Sequence, residues 1–541
     1  MSIKSKSNIY IQGMVLVIAG IITKIIGFLY RIPMSNMLGD EGNGIYSVAF
    51  GIYNFILIIS SYSLPLAVSK LVSARLTNKE YKNSYRLFRQ TLLFAFTAGV
   101  FAFLVLYLGA GLFEKLYCKA GLAKPLRVLA PTAFIVAILG VFRGYFQGRK
   151  NMVPTAISQI VEQLINAVVS VLAVFFFMYI YSKSSGAYAY GAAAGTLGTF
   201  AGALSALIIM LAIYLFAKAD ILKENNEDVT IREKSVHIQK VLFLTIIPVI
   251  LSQTIYQIGY TLDDLIFANI MKWRGFESVY VTKLQGVFNT QYNQLINLPV
   301  AISTAVAAVI VPSIIRFVVQ NRPTEMKEKI NTVIKINMAI AIPSAIGLMV
   351  MAKTIILLLF PKLVTYHNLA SQLLITGSSA VIFYSLSTIT TAILQGNNYM
   401  KLPVVHSAFS LFIHIVLVTG LLSFTDLGVY SLIIGNILFP LLICILNCIQ
   451  ISKKLGFRWD FRHTFIFPLI SSIIMGIVAY ASYFIIFRFS GINWISVLFA
   501  VTVAGSIYFL LILQLECFTN KELKTFPFGE KIAKLIYIKK T

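Results

Sequence analysis

Acidic side chains are scarce in this chain. Twenty Asp and Glu stand against 45 Lys and Arg, for a formal net charge of +25. So one-sided a balance has a plain explanation in membrane topology and anionic inner-leaflet lipid, which sets nucleic-acid binding aside. Cysteine is scarcer still: Cys118, Cys444, Cys448 and Cys517 make no disulfide framework. Cys444 and Cys448 share one helix face, yet with no His or third Cys at ligand spacing they read as packed thiols, and no metal site is expected. G-x-S-x-G, P-loop, H-E-x-x-H and paired-acid signatures are also missing. A membrane-embedded glycosyl or acyl transferase therefore finds little support, and no cofactor is expected.

What is abundant is apolar surface. The chain is 58% hydrophobic and 12% charged, with mean hydropathy +0.83. No soluble core of this length requires that, so the sequence predicts an all-α polytopic membrane protein. Apolar stretches of roughly 20 residues bounded by charge or turn residues give fourteen transmembrane helices. They lie near 9–36, 43–69, 90–112, 126–147, 153–181, 188–217, 241–271, 281–315, 331–352, 369–394, 403–424, 429–452, 464–487 and 493–515. The eighth exceeds a simple crossing. The first follows Lys4 and Lys6 as a signal peptide would, but it is too long and lacks a small-residue cleavage site, so it is read as a retained helix. Placing both termini in the cytoplasm satisfies the positive-inside rule. The loop carrying Lys70, Arg75, Lys79, Lys82, Arg86 and Arg89 contributes most.

Two phrases occur twice in matching order. Leu64-Pro65-Leu66-Ala67-Val68-Ser69 returns as Leu298-Pro299-Val300-Ala301-Ile302-Ser303, and Gln147-Gly148 with Met152 and Pro154 returns as Gln395-Gly396 with Met400 and Pro403. Two matches in register imply a duplicated unit. Six spans per copy make the repeats parallel, two six-helix lobes related by a pseudo-twofold along the membrane normal, with a site expected between them. The expected layout is an N-lobe at 1–217, a cytoplasmic linker at 218–240, a C-lobe at 241–452, two unrepeated spans within 453–515, and a basic tail at 516–541. The repeated Pro65 and Pro299 are candidate hinges.

An ionised side chain at mid-membrane costs at least about 2.5–3.5 kcal/mol, so such residues face a partner or a cavity. Lys24 lies roughly 22 Å into the first span, beyond easy snorkelling, and Arg31 is two turns further on. An anionic ligand would supply the counter-charge for both, a bundle ion pair being the bland alternative for Lys24 and interfacial snorkelling for Arg31. Lys70 ends the second span, where a topology-setting role serves as well as substrate binding, and Arg143, Arg149 and Lys150 flank the first Q-G phrase and line the cytoplasmic rim, Arg143 as a candidate substrate ligand with lipid-headgroup binding as the competing reading. Lys283, near the outer start of the eighth span, faces either a cavity or the interface. Asp263 and Asp264 in the seventh span point about 100° apart, so one is expected to bind a cation or proton while the other pairs with a base. Glu162 sits on a polar face with Gln159, Gln163 and Asn166, and hydrogen bonding is its expected role. His406 and His414 read as satisfied core histidines.

The stretch Phe142-Arg143-Gly144-Tyr145-Phe146-Gln147-Gly148, running on through Pro154-Thr155-Ala156-Ile157-Ser158-Gln159 and Val161-Glu162-Gln163, resembles Gram-positive lipid II flippases of the MurJ type and the related stage V sporulation protein B. Lys24-Ile25-Ile26-Gly27-Phe28 ahead of Leu38-Gly39-Asp40, and Ile393-Leu394-Gln395-Gly396, support the same polysaccharide-exporter branch of the MOP superfamily. The resemblance implies a V-shaped pair of lobes around a cationic cavity, a groove for a polyprenyl tail along spans thirteen and fourteen, and a bacterial cell-membrane location. It implies no enzyme but a flippase for an undecaprenyl-diphosphate-linked glycan, lipid II for peptidoglycan and cell shape, worked by alternating access. Export of another lipid-linked polysaccharide or a spore-wall precursor stays open, as does an ion-coupled drug exporter of the same fold. Lys24 falls where the family carries a basic cavity residue, Lys70 near an arginine after the second-span L-P, and Gln294 where the family has an arginine, leaving Arg31 or Lys283 as substitutes. Asp263 resembles the aspartate of a cation site, but the eleventh span has Ser410 and His414 where that site wants an amide and a carboxylate, which speaks against sodium. A monovalent cation, a proton or the membrane potential is the implied coupling, membrane lipids and the cell-wall synthesis machinery are the implied partners, and a monomer is favoured.

Overall fold

A computed structural model describes residues 3–184, 186–519 and 522. Every regular element among them is helical. Among the described residues ten helices are long and apolar enough to cross a membrane, and a bent pair, Val364–Gly377 and Ala380–Gly396 at 46°, makes an eleventh. The count differs from fourteen for three local reasons. The first two expected spans form one run, Ile18–Thr77. The seventh lies in the helix Ser235–Trp273, some of whose side chains fall outside the described residues, as do some in Gln294–Val319. The overlong eighth is a helix, Ser278–Gly286, a π-helical turn, Val287–Asn293, and the helix Gln294–Val319. The basic tail lies almost wholly outside the described residues.

The run at the N-terminus is broken where the sequence places Leu38-Gly39-Asp40. Gly39 has φ +68 and ψ 173 inside Ile3–Leu57, a conformation that a Cβ resists. Further on, the π-helical turn Ile58–Tyr62 precedes Leu64–Thr77, in whose first turn Pro65 needs no hydrogen-bonded N–H. The second copy repeats the device: Val287–Asn293 is π-helical and Pro299 follows in the next helix. A wide turn relieves the ladder upstream of a residue that cannot donate to it.

Contacts divide the chain into two units, Met1–Thr290 and Gln291–Thr541. The division falls in the second π-helical turn rather than at 218–240. Ser235–Trp273 and Ser278–Gly286, counted with the C-lobe from sequence, group with the first unit. Ile238, Leu242 and Ile246 join a core there with Leu64, Val68, Phe88, Phe142 and Tyr145. Most of the expected linker is helix too, since Ala187–Glu227 runs through Lys218 to Glu227. Only the short segment after it is extended, and it is bound to the first unit. Asn83 donates to the Ile231 carbonyl at 2.9 Å and accepts from the Glu233 N–H at 3.0 Å, while Arg75 grips Glu233 at 2.9 and 2.7 Å.

Close packing in lipid relies on small residues, because acyl chains are as apolar as leucine. Gly140, Gly144 and Gly148 form such a stripe on Ala123–Gly148. A Cβ on Gly144 would sit 2.7 Å from the Pro65 carbonyl oxygen, and one on Gly148 would sit 2.6 Å from the Val72 Cβ. The R-G-Y-F-Q-G phrase is thus a groove for the helix Leu64–Thr77. In the second unit, Phe467–Ser490 and Asn493–Gln514 pack together through Met475, Ala479, Val497, Ala500 and Ala504, against Met351. Ile477, Phe484 and Phe489 remain exposed on the outside of this pair, as a lipid-facing surface requires.

Candidate functional site

The first unit holds the sequence-marked cations, and their surroundings sort them into two groups. Arg143 is committed. Its Nε donates to Ser158 Oγ at 2.9 Å and its NH2 nitrogen to Glu162 Oε2 at 2.7 Å, joining the fourth span to the fifth. Glu162, expected to hydrogen-bond along its own polar face, is the counter-ion. Arg149 likewise meets Glu224 at 2.7 Å, and Arg75 meets Glu233.

Lys24 and Arg31 are different. Seven residues apart, they stand about 10 Å apart along the helix and within about 20° of one face. Among the described residues no carboxylate pairs with either. Lys24 is exposed, and Arg31 is half-buried with its guanidinium 5.5 Å from the Phe50 ring centroid, beside Tyr30 and Tyr46. Gly27, about 60° away on the helix, faces Gln163, whose Nε2 would lie 2.9 Å from a Cβ there. The basic stripe therefore borders the polar seam of the fifth span. Along that seam Asn166 donates to Tyr30 at 3.4 Å and to Gln163 Oε1 at 3.2 Å, and Ser170 donates to Asn166 at 3.0 Å. Such a seam offers two positive charges beside a row of neutral donors.

The other marked residues are scattered. Lys70 is exposed near the middle of Leu64–Thr77. Lys283 is half-buried, and its charge acts on Glu41. Gln294, in the second unit, has an enclosed side-chain nitrogen without a hydrogen-bond partner. Pro65 is half-buried and Pro299 buried. Asp263 and Asp264 are both buried, and Asp264 Oδ1 accepts from Gln285 at 3.1 Å and from Asn289 at 2.9 Å. Both eleventh-span histidines have core partners: His406 Nδ1 lies 2.7 Å from Asn447 Oδ1 and His414 Nδ1 lies 3.0 Å from the Gly435 carbonyl. No group of three metal-ligating side chains occurs among the described residues, and all four cysteines are free.

Sequence reasoning missed Lys119, which is 1% exposed on the segment between the third and fourth spans. Burial pushes its ammonium down to about 7, against the opposing pull of Asp264 and Glu41. Its small and apolar neighbours, Ala120-Gly121-Leu122, were the available signal.

These features define an all-helical, multi-pass membrane protein with the fold of MOP-superfamily transporters. A multidrug-resistance MATE family transporter in an inward-facing conformation matches with a TM-score of 0.64 at 17% identity, over 80% of this chain and 95% of that one. A lipid II flippase MurJ in an inward closed conformation matches with a TM-score of 0.62 at 14% identity, over 93% and 99%. The chain belongs to the polysaccharide biosynthesis protein family, whose model matches residues 12–318; a MatE model also matches 286–419. Relatives in Bacillus subtilis (strain 168) include the uncharacterized membrane protein YabM, 27% identical over 529 residues, 96% of this chain and 95% of the relative. Lipid II flippase MurJ is 24% identical, with 86% of each chain covered, and stage V sporulation protein B is 22% identical, over 96% and 98%.

Proposed function

We propose that this protein is a flippase of the bacterial cell membrane, with both termini cytoplasmic, that moves an undecaprenyl-diphosphate-linked glycan from the inner to the outer leaflet by alternating access. The observation that carries the reading is the Lys24–Arg31 stripe: two cations on one face of the first span without a carboxylate partner among the described residues, while Arg75, Arg143 and Arg149 each have one. A diphosphate brings about two negative charges that hydrocarbon will not solvate, so fixed cations lining its route lower the barrier. Outward movement of that charge along an inside-negative potential gains about 2.3 kcal/mol per charge per 100 mV. The relatives named lipid II flippase and stage V sporulation protein B support a lipid-linked cargo. Lipid II is the cargo we favour, which places the protein in peptidoglycan synthesis.

A drug exporter of the same fold is the second reading, favoured by the MATE match. Unpaired cations would repel cationic drugs, which argues against it. The deciding experiment is outer-leaflet accessibility of lipid II before and after acute inactivation of the protein. Loss of accessible lipid II is expected. Unimpaired vegetative growth on depletion, in a strain without a redundant flippase, would instead leave a spore-wall or other glycan as cargo.

A further inference from the structure

One buried polar cluster in the first unit takes no part in the cationic stripe. Lys119 Nζ donates to Gln285 Oε1 at 2.7 Å. Gln285 Nε2 in turn donates to the Asp264 carbonyl at 2.9 Å and to Asp264 Oδ1 at 3.1 Å. Asn289 donates to the same carboxylate oxygen at 2.9 Å and approaches Ser47 Oγ at 3.5 Å. A buried cation and a buried anion are thus held apart by one neutral amide. Lys119 comes from the segment between the third and fourth spans, Asp264 from Ser235–Trp273, and Gln285 from Ser278–Gly286.

The cluster sits where two backbones touch. A Cβ on Gly44 would collide with the Thr282 carbonyl, and one on Gly286 with the Asp40 carbonyl. Contact this close leaves no room for a side chain between the two backbones at these points. The neighbouring charged groups are Asp263 beside Asp264, and Glu41, which acts on Lys119 and is itself acted on by Lys283 and Glu277. Tyr117 donates to the Thr261 carbonyl at 3.2 Å, close to Asp264.

We propose that Lys119, Gln285 and Asp264 form a proton-binding site whose loading loosens Ser278–Gly286 from the first span. With one proton shared between amine and carboxylate, the cluster is neutral overall and tolerates enclosure. A second proton, taken from water onto the Asp264 carboxylate, leaves an ammonium with no counter-charge across the bridge. Enclosure then opposes the charged form, and hydration of the cluster relieves it. Return of that proton to water restores the neutral, closed arrangement. The proposal names a proton as the coupling ion of the transport reading and rests on that reading for its purpose, though not for its test.

The test is hydrogen–deuterium exchange of the full chain in lipid nanodiscs at about pH 6 and about pH 8, corrected for intrinsic exchange rates. Amides of 278–290 in the wild type should exchange at least about fivefold faster at the acid value, with Val153–Ile180 as internal reference. Lys119→Met should bring the ratio to about one. Gln285→Glu, which gives the amine a direct carboxylate partner, should move the transition to lower pH. A pH-independent wild type, or a full response in Lys119→Met, overturns the proposal. No cargo is needed, so failure here with lipid II delivery intact removes the proton site alone. A positive result without delivery removes only the cargo.

Discussion

Arg143 and Glu162 lie 2.7 Å apart, with side-chain exposures of 13% and 27%, and join the fourth span to the fifth. A guanidinium left in that position without its carboxylate is far costlier than the intact pair is beneficial. Glu162→Gln should therefore destabilise the protein by about 1–3 kcal/mol, the partial exposure tempering the cost of a fully buried charge. Arg143→Gln in the same background should recover part of it. Thermal unfolding of the detergent-solubilised single and double variants measures both, and additive losses would count against coupling.

Lys24 and Arg31 call for the opposite pattern. Among the described residues neither has a carboxylate that its removal would orphan, so Lys24→Ala and Arg31→Ala should leave melting temperature and membrane abundance close to wild type. Translocation should fall by roughly a hundredfold for Lys24→Ala, in line with the cost of one uncompensated charge at depth. Lys24→Arg should keep much of the activity. Lipid II accessibility in complemented, depleted cells gives the readout, and wild-type transport by Lys24→Ala removes that residue from the mechanism.

Periodicity and length made the helices legible, and the repeated L-P phrase marked positions where both copies carry a π-helical turn upstream. The overlong 281–315 stretch already signalled a break, because one crossing needs only about 20 residues. The division of the units at Thr290 was hidden, since nothing in local composition says that Ile238, Leu242 and Ile246 pack on Phe88 and Tyr145. Arg143 was marked as a ligand residue because its partner stands 19 positions away on another helix, where spacing alone gives no geometry. Lys119 drew no notice in the sequence, because its partner Gln285 stands 166 residues away.

The glycine stripe of the fourth span sets a steric limit. At Gly144 a methyl group would meet both the Pro65 carbonyl oxygen at 2.7 Å and the Val68 Cβ at 2.8 Å, and backbone cannot step aside as a side chain does. Gly144→Ala should cost about 1–3 kcal/mol and Gly144→Leu should prevent accumulation. Gly20→Ala, with nothing within 4 Å of its added carbon, is the matched control and should be neutral or slightly stabilising. Expression level and melting temperature check the series.

Asp460, between the twelfth and thirteenth spans, provides a pH dependence with a definite sign. Burial pushes its carboxyl up, but hydrogen bonds from the His463 side chain and backbone and from Lys335, with the Lys335 charge, outweigh it and hold the group below its ordinary range. Lys335 is 5% exposed and lies 3.1 Å from Asp460 and 3.8 Å from Glu522. A carboxyl more acidic when folded binds fewer protons than in the unfolded chain. Its contribution is therefore complete above the unfolded value of about 3.9 and disappears as pH falls through the folded one. Thermal stability should decline below about pH 4, and Asp460→Asn should make that acid limb shallower while losing about 1–2 kcal/mol at neutral pH. Melting curves of wild type and variant from about pH 3 to about pH 8 decide it, an unchanged acid limb showing that other carboxylates govern the transition.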